Sequence, residues 1–529
     1  LKPFDERGAF RSTAEGVKHQ AVRGAAATLA GSGLGLTIQV ISTIVLARLL
    51  SPADYGLVTM VTTFSLLLSN FGFNGLTEAV IQREDLDRAL ASNLFWINVS
   101  GGLLLSVGFA AAGTLLARVY GNPNVRNAVI GIAPTIFLSS TWVLHIALLK
   151  RAMRFSAVTL NEICGRAISV AVSILLGWAG WGYWALIGGA IALPVSISIG
   201  AWSMCRWLPD FPRRAKGTGT MVRFAMNVYG RFTVNYGSRN LDNFLVGWRF
   251  DAVSLGFYKR AYDLFALSAV QLVAPLTSVA VSALSRMRGN SAEYKRYFLS
   301  ALGVIAFMGM GVGATLTLIG PDIIRLLLGP HWAPAGRIFM YFGPGVGIML
   351  LYGTHGWLHL SLGRADRWLR WGIVEFLVTG SLFVFALRWG PVGIAISWTV
   401  SFWILTFPAF WYAGKPIGFT LGPVFSVVWK YVVAALLAGG AVALIRTMLP
   451  FYPLPKGSFE GSFESFVRIV ISSTLFALSY LGAVILLHGG AAPLYQLASL
   501  ARAGVPRGRS SKSAPLHTQA AADTSKVLP

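Results

Sequence analysis

Uninterrupted apolar blocks constrain this chain more than any other feature. Stretches such as 103–116, 168–178 and 432–445 extend into runs of about 20 residues, enough to cross a hydrocarbon core of ~30 Å. Backbone amides that enter lipid must be satisfied within their own segment, so such runs are read as helices. Composition agrees: 55% of the 529 residues are hydrophobic and 12% are charged, against about 25% charged in a soluble domain. The chain lacks the polar surface a water-soluble fold of this size needs, and lipid is the solvent for most of it.

Breakers divide the runs, among them Ser51-Pro52-Ala53-Asp54, Gly121-Asn122-Pro123-Asn124, Pro209-Asp210-Phe211-Pro212 and Gly390-Pro391. They predict about fourteen spans, at 24–49, 55–80, 91–117, 127–149, 156–178, 182–205, 221–248, 255–284, 298–320, 334–361, 370–388, 391–413, 427–449 and 467–488. The first run is too long for a signal-peptide core and leads straight into a second span, so it is expected to stay in the membrane. The seventh is the least apolar, since it carries Arg231, Arg239 and Asp242. Charge distribution decides it. With a cytoplasmic N-terminus and fourteen spans, 29 of the 41 Lys and Arg outside mid-span positions fall on the inner side and 12 on the outer. Without the seventh span the division worsens to 24 against 17.

The net charge of +24 follows from this arrangement. Its cations sit in short juxtamembrane clusters, such as Lys150-Arg151-Ala152-Met153-Arg154, that suit orientation and contact with anionic membrane lipids. Nucleic acid is not expected as a partner. Cys164 and Cys205 both lie in apolar segments and are expected to be inert small hydrophobes. The segment from Pro450 to Glu464 is expected to be an outer loop, and the tail beyond about Leu500 to be disordered and cytoplasmic.

The chain also resembles itself at an offset of 200. Leu46-Ala47-Arg48-Leu49-Leu50-Ser51-Pro52-Ala53-Asp54-Tyr55-Gly56 lies against Val246-Gly247-Trp248-Arg249-Phe250-Asp251-Ala252-Val253-Ser254-Leu255-Gly256, and Leu76-Thr77 falls on Leu276-Thr277. Two units of six spans inserted in the same orientation form a parallel repeat, the architecture of two bundles rocking about a central cavity. The expected organisation is a cytoplasmic segment 1–23, an N-lobe 24–215, a C-lobe 216–415, two extra helices 416–490 and a tail 491–529. This is an all-α polytopic membrane protein of two pseudo-symmetric six-helix lobes with two C-terminal helices added.

Ionisable groups at membrane depth cost about 2.5–3.5 kcal/mol on insertion scales and so mark a function or a specific partner. Span seven places Asn227, Arg231, Asn235, Arg239, Asp242 and Asn243 at steps of one to four residues, the main stripe along one helix face. Guanidinium forks suit phosphate or carboxylate oxygens, which makes Arg231, Arg239, Asn235 and Asn227 candidate substrate contacts. The structural alternative is internal pairing of Arg239 with Asp242 and of Arg231 with another helix, although Asp242 can neutralise only one of them. Span two carries Asn70, Asn74 and Glu78 in a similar stripe, with Glu78 and Asp242 as candidate ion-coupling carboxylates. Arg166 joins the candidate substrate contacts, yet Glu162 is four residues away and can neutralise it. Glu375 stands alone as a proton or cation site, and Asp263 has equal claim to a helix-start role.

His355 and His359 share a face of span ten, but zinc needs a third ligand and no HExxH motif exists. Interhelical hydrogen bonding is the expected role. Gly343-Pro344-Gly345-Val346-Gly347 lacks the strand and the GK[ST] of a nucleotide loop and is read as a helix kink. No catalytic set, cofactor or metal site is legible, and coupling to a proton or sodium gradient is left open.

The first hairpin, 46–60, resembles the N-terminal signature of polysaccharide transporters in the multidrug/oligosaccharidyl-lipid/polysaccharide exporter superfamily. Ala79-Val80-Ile81-Gln82-Arg83 and Leu148-Leu149-Lys150-Arg151-Ala152-Met153-Arg154-Phe155 are similar to that family's inner loops. Arg239-Asn240-Leu241-Asp242-Asn243-Phe244-Leu245-Val246-Gly247, 255–262, Gly329-Pro330-His331-Trp332 and Leu362-Gly363-Arg364-Ala365-Asp366 continue the likeness, which covers roughly 20–420. The resemblance implies a V-shaped pair of lobes that flips a polyprenyl-pyrophosphate-linked oligosaccharide across the bacterial inner membrane. Both termini would be cytoplasmic, the protein a monomer, and glycan polymerases and glycosyltransferases its partners. The rival within the superfamily is a drug/cation antiporter, which should place acids rather than arginines in the cavity. A membrane glycosyltransferase or polymerase would need catalytic carboxylates or large outer loops.

Overall fold

The computed structural model describes residues 3–6, 8–10, 17–83, 85–213, 215, 217–448, 458–491 and 495. Among them the fold is all-helical, with seventeen α-helices. The first eight are α1 (Val17–Leu49), α2 (Pro52–Ser69), α3 (Phe73–Gln82), α4 (Arg88–Ala111), α5 (Gly113–Tyr120), α6 (Asn124–Arg151), α7 (Phe155–Trp178) and α8 (Tyr183–Cys205). They are followed by α9 (Thr218–Arg249), α10 (Ala252–Arg286), α11 (Ser291–Leu328), α12 (Ala333–Gly353), α13 (His355–Ser361), α14 (Ala365–Ala386), α15 (Gly390–Gly414), α16 (Leu421–Met448) and α17 (Ser458–His488).

Among the described residues ten segments are long and apolar enough to cross a membrane, one of which runs from Asp366 to Ile417 and contains two helices, α14 and α15. The second and seventh expected spans, built from α2 with α3 and from α9, fall outside that set. The second is divided between α2 and α3, and α9 carries the Asn/Arg stripe. Three expected spans are interrupted. The second breaks at 70–72, where the Asn70 side-chain amide donates to Leu66 O at 2.7 Å; the third breaks at Ala112 and the tenth at Thr354. The Gly343–Gly347 stretch, expected to kink, lies inside α12 with Pro344 in its middle. Those glycines form a seam, because a Cβ on Gly347 would sit 2.8 Å from Gly309 O and one on Gly313 2.8 Å from Gly343 O. Absence of side chains there lets α11 and α12 touch backbone to backbone. The expected outer loop overlaps 449–457, outside the described residues, and is helical from Ser458. The tail also lies outside them, apart from 491 and 495.

Packing follows one scheme twice. In the first half α6 packs on α2, α4 and α8, α7 packs on α8, and α1 packs on α7. In the second, α12 packs on α10, α11 and α15, α14 packs on α15, and α9 packs on α14. The added helices α16 and α17 pack on each other and on α11. Arg446 of α16 pairs with Asp322 of α11 at 3.1 Å, and Tyr480 of α17 donates to Phe307 O at 2.8 Å.

The 200-residue offset has a geometric counterpart where the halves meet. Ser51 caps α2 through a capping box with Asp54, and Asp251 caps α10 by accepting from Ser254 N at 2.6 Å. The two helices then cross at their first turns. A Cβ on Gly56 would lie 1.6 Å from Ala252 O, and one on Gly256 would lie 1.9 Å from Pro52 O. Positions 52 and 252, and 56 and 256, thus exchange roles across a pseudo-twofold axis. Around this crossing Tyr55 packs on Trp332 at 5.5 Å, Arg260 lies 3.7 Å over the Tyr55 ring, and Trp332 Nε1 donates to Ala47 O at 2.8 Å. The halves are closed against each other at this hairpin end.

Candidate functional site

The polar stripe of α9 is oriented by its aromatic face. Tyr229 and Tyr236 donate to Leu67 O and Thr63 O of α2, each at 3.0 Å, and Phe71 meets the Tyr229 ring edge-on at 5.1 Å. Near the opposite end of the bundle, Gly75 of α3 brings its backbone against Ala225, where a Cβ would be 2.4 Å from Ala225 O. With that face fixed on α2 and α3, the remainder of α9 is left to face away. Asn227, Asn235 and Arg239 are all exposed. The side chains of Arg231, and of Asn74 on α3, lie outside the described residues.

Arg239 does not pair with Asp242. The Asp242 carboxylate is fully buried and accepts from Tyr258 Oη at 2.6 Å, Trp398 Nε1 at 3.0 Å and its neighbour Asn243 N at 2.8 Å. The first two donors come from α10 and α15, so Asp242 is a joint tying α9 into the second half. Arg239 forms no ion pair among the described residues. Glu375 of α14 lies within the field of the Arg239 charge and near Tyr352, whose hydroxyl accepts from Trp371 Nε1 at 2.8 Å. Glu375, which had no legible neighbour in the sequence, therefore borders the arginine stripe.

Across the bundle, Glu162 and Arg166 of α7 make no ion pair with each other, contrary to the expectation from their spacing. Both line a cleft of about 220 Å³ between α7 and α1, together with Thr28, Ser32, Gln39 and Thr159. Arg166 is exposed and lies eleven residues from Phe155 and twelve from Trp178, the ends of α7. At 1.5 Å per residue this is ~17 Å from either end, close to mid-membrane. Gly31 makes the cleft possible, since its Cβ would be 2.1 Å from Thr159 Cγ2, so the two helices touch there and diverge beside it. Sequence reasoning missed the α1 side of this cleft; its signal was Thr28, Ser32 and Gln39 along one side of a span otherwise read as apolar.

Glu78 on α3 has one carboxylate oxygen, Oε2, buried with no hydrogen-bond partner. Asp263 belongs mid-helix on α10, where Lys259 meets it at 2.5 Å and Arg260 at 3.7 Å, and Asp251 takes the helix-start role instead. His355 and His359 are buried but do not hydrogen-bond between helices: His355 Nδ1 meets Tyr352 O one turn back, and both ring nitrogens of His359 lack partners. Their neighbours are aromatic, with the His359 ring 6.0 Å from Tyr412 and the His355 ring 6.4 Å from Trp371. No group of three metal-ligating side chains occurs among the described residues, where both cysteines are free.

Comparison with known proteins joins these observations to a family. The sequence pattern of the polysaccharide biosynthesis protein family matches residues 45–337, more than half of the chain. The teichuronic acid biosynthesis protein TuaB of Bacillus subtilis (strain 168) is 22% identical over 426 residues, covering 79% of this chain and 85% of TuaB. The succinoglycan biosynthesis transport protein ExoT of Rhizobium meliloti (strain 1021) is 19% identical over 354 residues, covering 67% of this chain and 72% of its own. Among solved structures, the lipid II flippase MurJ in an inward closed conformation superposes with a TM-score of 0.67 at 14% identity, covering 86% of this chain and 98% of MurJ. Membrane-length helices throughout the bundle and a family match over more than half of the chain lead to one assignment: the chain belongs to the polysaccharide biosynthesis protein family, as a multi-pass membrane protein.

Proposed function

We propose that the protein carries a polyprenyl-pyrophosphate-linked oligosaccharide across the bacterial inner membrane by alternating access, for exopolysaccharide, capsule or O-antigen assembly. The observation that carries this reading is Arg239, exposed at membrane depth and without an ion-pair partner among the described residues. Such a group is tolerated where it faces water and awaits an anion. A pyrophosphate suits its fork of donors, with Arg231 about two turns along the same helix and Asn227 and Asn235 along the stripe. The polyprenyl tail stays in the bilayer while the head group enters between the halves.

On this reading fourteen spans form two six-helix lobes, and α16 and α17 attach to the second. Both termini are cytoplasmic, so the hairpin end with Gly56 and Gly256 faces outward and is shut. The halves part there to release the passenger. Coupling to a proton or sodium gradient would use carboxylates, with Glu78, whose Oε2 is unpartnered, ahead of Asp242, which already has three donors. The protein works as a monomer that hands its passenger to a glycan polymerase after glycosyltransferases have built it.

The test is the lipid-linked saccharide pool of a deletion strain. Complementation with the wild-type chain should clear it; Arg239→Ala, inserted at normal levels, should leave it accumulated. Wild-type clearance by both Arg239→Ala and Arg231→Ala would remove the anion site. A second reading, a cation or drug antiporter, draws on Glu375 and Glu162 beside the arginines; drug resistance conferred by the wild-type chain, with no change in the saccharide pool, would favour it.

A further inference from the structure

The cleft between α1 and α7 has a donor and acceptor pattern that selects one class of ligand. The Thr28 hydroxyl donates to Gly24 O and the Ser32 hydroxyl to Thr28 O, both at 2.9 Å, so each presents only lone pairs to the cleft. Glu162 adds carboxylate acceptors, Arg166 adds donors, and Gln39 offers both. A phosphate would meet the Glu162 charge and two acceptor-only hydroxyls. A metal or organic cation would meet Arg166. A neutral ring bearing neighbouring hydroxyls, each able to donate and accept, satisfies all of these groups together. The volume of about 220 Å³ is smaller than the ~300–1,000 Å³ that drug-sized ligands occupy and suits a single ring.

The cleft opens to water, because an acid and a base that do not neutralise each other cannot face lipid near mid-membrane. Gly35 forms part of its α1 wall. A Cβ there would be 3.9 Å from Arg166 Nη1, an ordinary contact, so a larger side chain at this position would grow into the cleft without clashing with backbone.

We infer that the α1–α7 cleft is a saccharide subsite that takes one neutral pyranose ring of the passenger, with Glu162 and Arg166 hydrogen-bonding its hydroxyls. This rests on the lipid-linked glycan reading and divides the passenger's recognition: pyrophosphate to Arg239 on α9, sugar to α7.

Native mass spectrometry of the purified full chain, titrated in parallel with undecaprenyl pyrophosphate and with undecaprenyl-pyrophosphoryl-glucose or -galactose, separates the two. Wild-type protein should bind at least one sugar-bearing lipid more tightly than the bare one, by about tenfold or more, the scale of hydrogen bonds to charged groups. Glu162→Gln removes the charged acceptor and Gly35→Leu fills the space without touching a charge. Each should erase that preference while the bare lipid binds as before, which also certifies the fold. Retention of the preference in both variants, or equal loss of bare and sugar-bearing lipid in both, overturns the subsite. Wild-type protein that binds both lipids equally overturns it while sparing the pyrophosphate site. Wild-type protein that binds neither overturns the transport reading, and the subsite with it.

Discussion

The helix pairs α1–α7 and α9–α14 hold equivalent places in the two halves, yet their chemistry differs. In each pair the half's first long helix packs on a later one that carries a mid-helix acid, Glu162 in the first and Glu375 in the second. In the first half α1 contributes hydroxyls and Gln39, and the only cation, Arg166, is on the acid's own helix. In the second half α9 contributes Asn227, Asn235 and Arg239, and the Arg239 charge acts across onto Glu375. One scaffold has been used twice, and duplication kept the packing while the lining diverged. On the proposed function, a passenger with two chemistries, a charged diphosphate and neutral sugars, would give that divergence a purpose.

The sharpest way to break the comparison is Arg239→Ala. It should reduce export by about 100-fold or more, since a charge-assisted bidentate contact is lost; Arg166→Ala should cost less, about tenfold, because a neutral ring loses only hydrogen bonds. Export assayed through the accumulated lipid-linked saccharide ranks the two, and equal losses would erase the proposed division. Next comes the crossing that makes the halves equivalent. Gly56→Val and Gly256→Val each push a side chain into a facing carbonyl, the Cβ alone standing 1.6 and 1.9 Å from its oxygen. Both should lower thermal stability by about 1–3 kcal/mol, as overpacking does, and by similar amounts. A large effect in one and none in the other would mean that the pseudo-twofold does not organise the hairpin end.

Tyr258→Phe should have a comparable but purely structural effect. It removes one donor to the buried Asp242 carboxylate, worth about 1.5–3 kcal/mol, and should lower the melting midpoint without changing the preference for a sugar-bearing lipid. A change in that preference would place Asp242 in the passenger's path. Smallest of all, Arg446→Gln loosens the partly exposed pair with Asp322 that ties α16 to α11. About 1 kcal/mol or less is at stake, with export unchanged.

Fold class was readable because lipid leaves so few solutions. Twenty apolar residues in a row must be helical, and Pro, Gly and Asp at their ends mark where each stops. The repeat was readable at its hairpins, where Ser51 and Asp251, then Gly56 and Gly256, are residues the backbone itself requires. Partnership was not. Glu162 and Arg166 at i, i+4 spell an ion pair on an isolated helix, but in the bundle they border the α1 cleft and remain apart. Arg239 and Asp242, three residues apart, likewise face different neighbours, because α10 and α15 supply Tyr258 and Trp398 to the acid. The two histidines found aromatic rings instead of hydrogen bonds across helices.

What the sequence by itself determined was therefore the solvent, the helical rods, the stripe of polar residues on the seventh and the family to which the chain belongs. Tertiary structure alone decided which charges stay free. Spacing along a helix sets which residues share a face, while the choice between a partner, water and a ligand depends on what the neighbouring helix brings within about 3 Å of each polar atom. That neighbour is supplied by packing between segments far apart in the chain, and no local pattern encodes it.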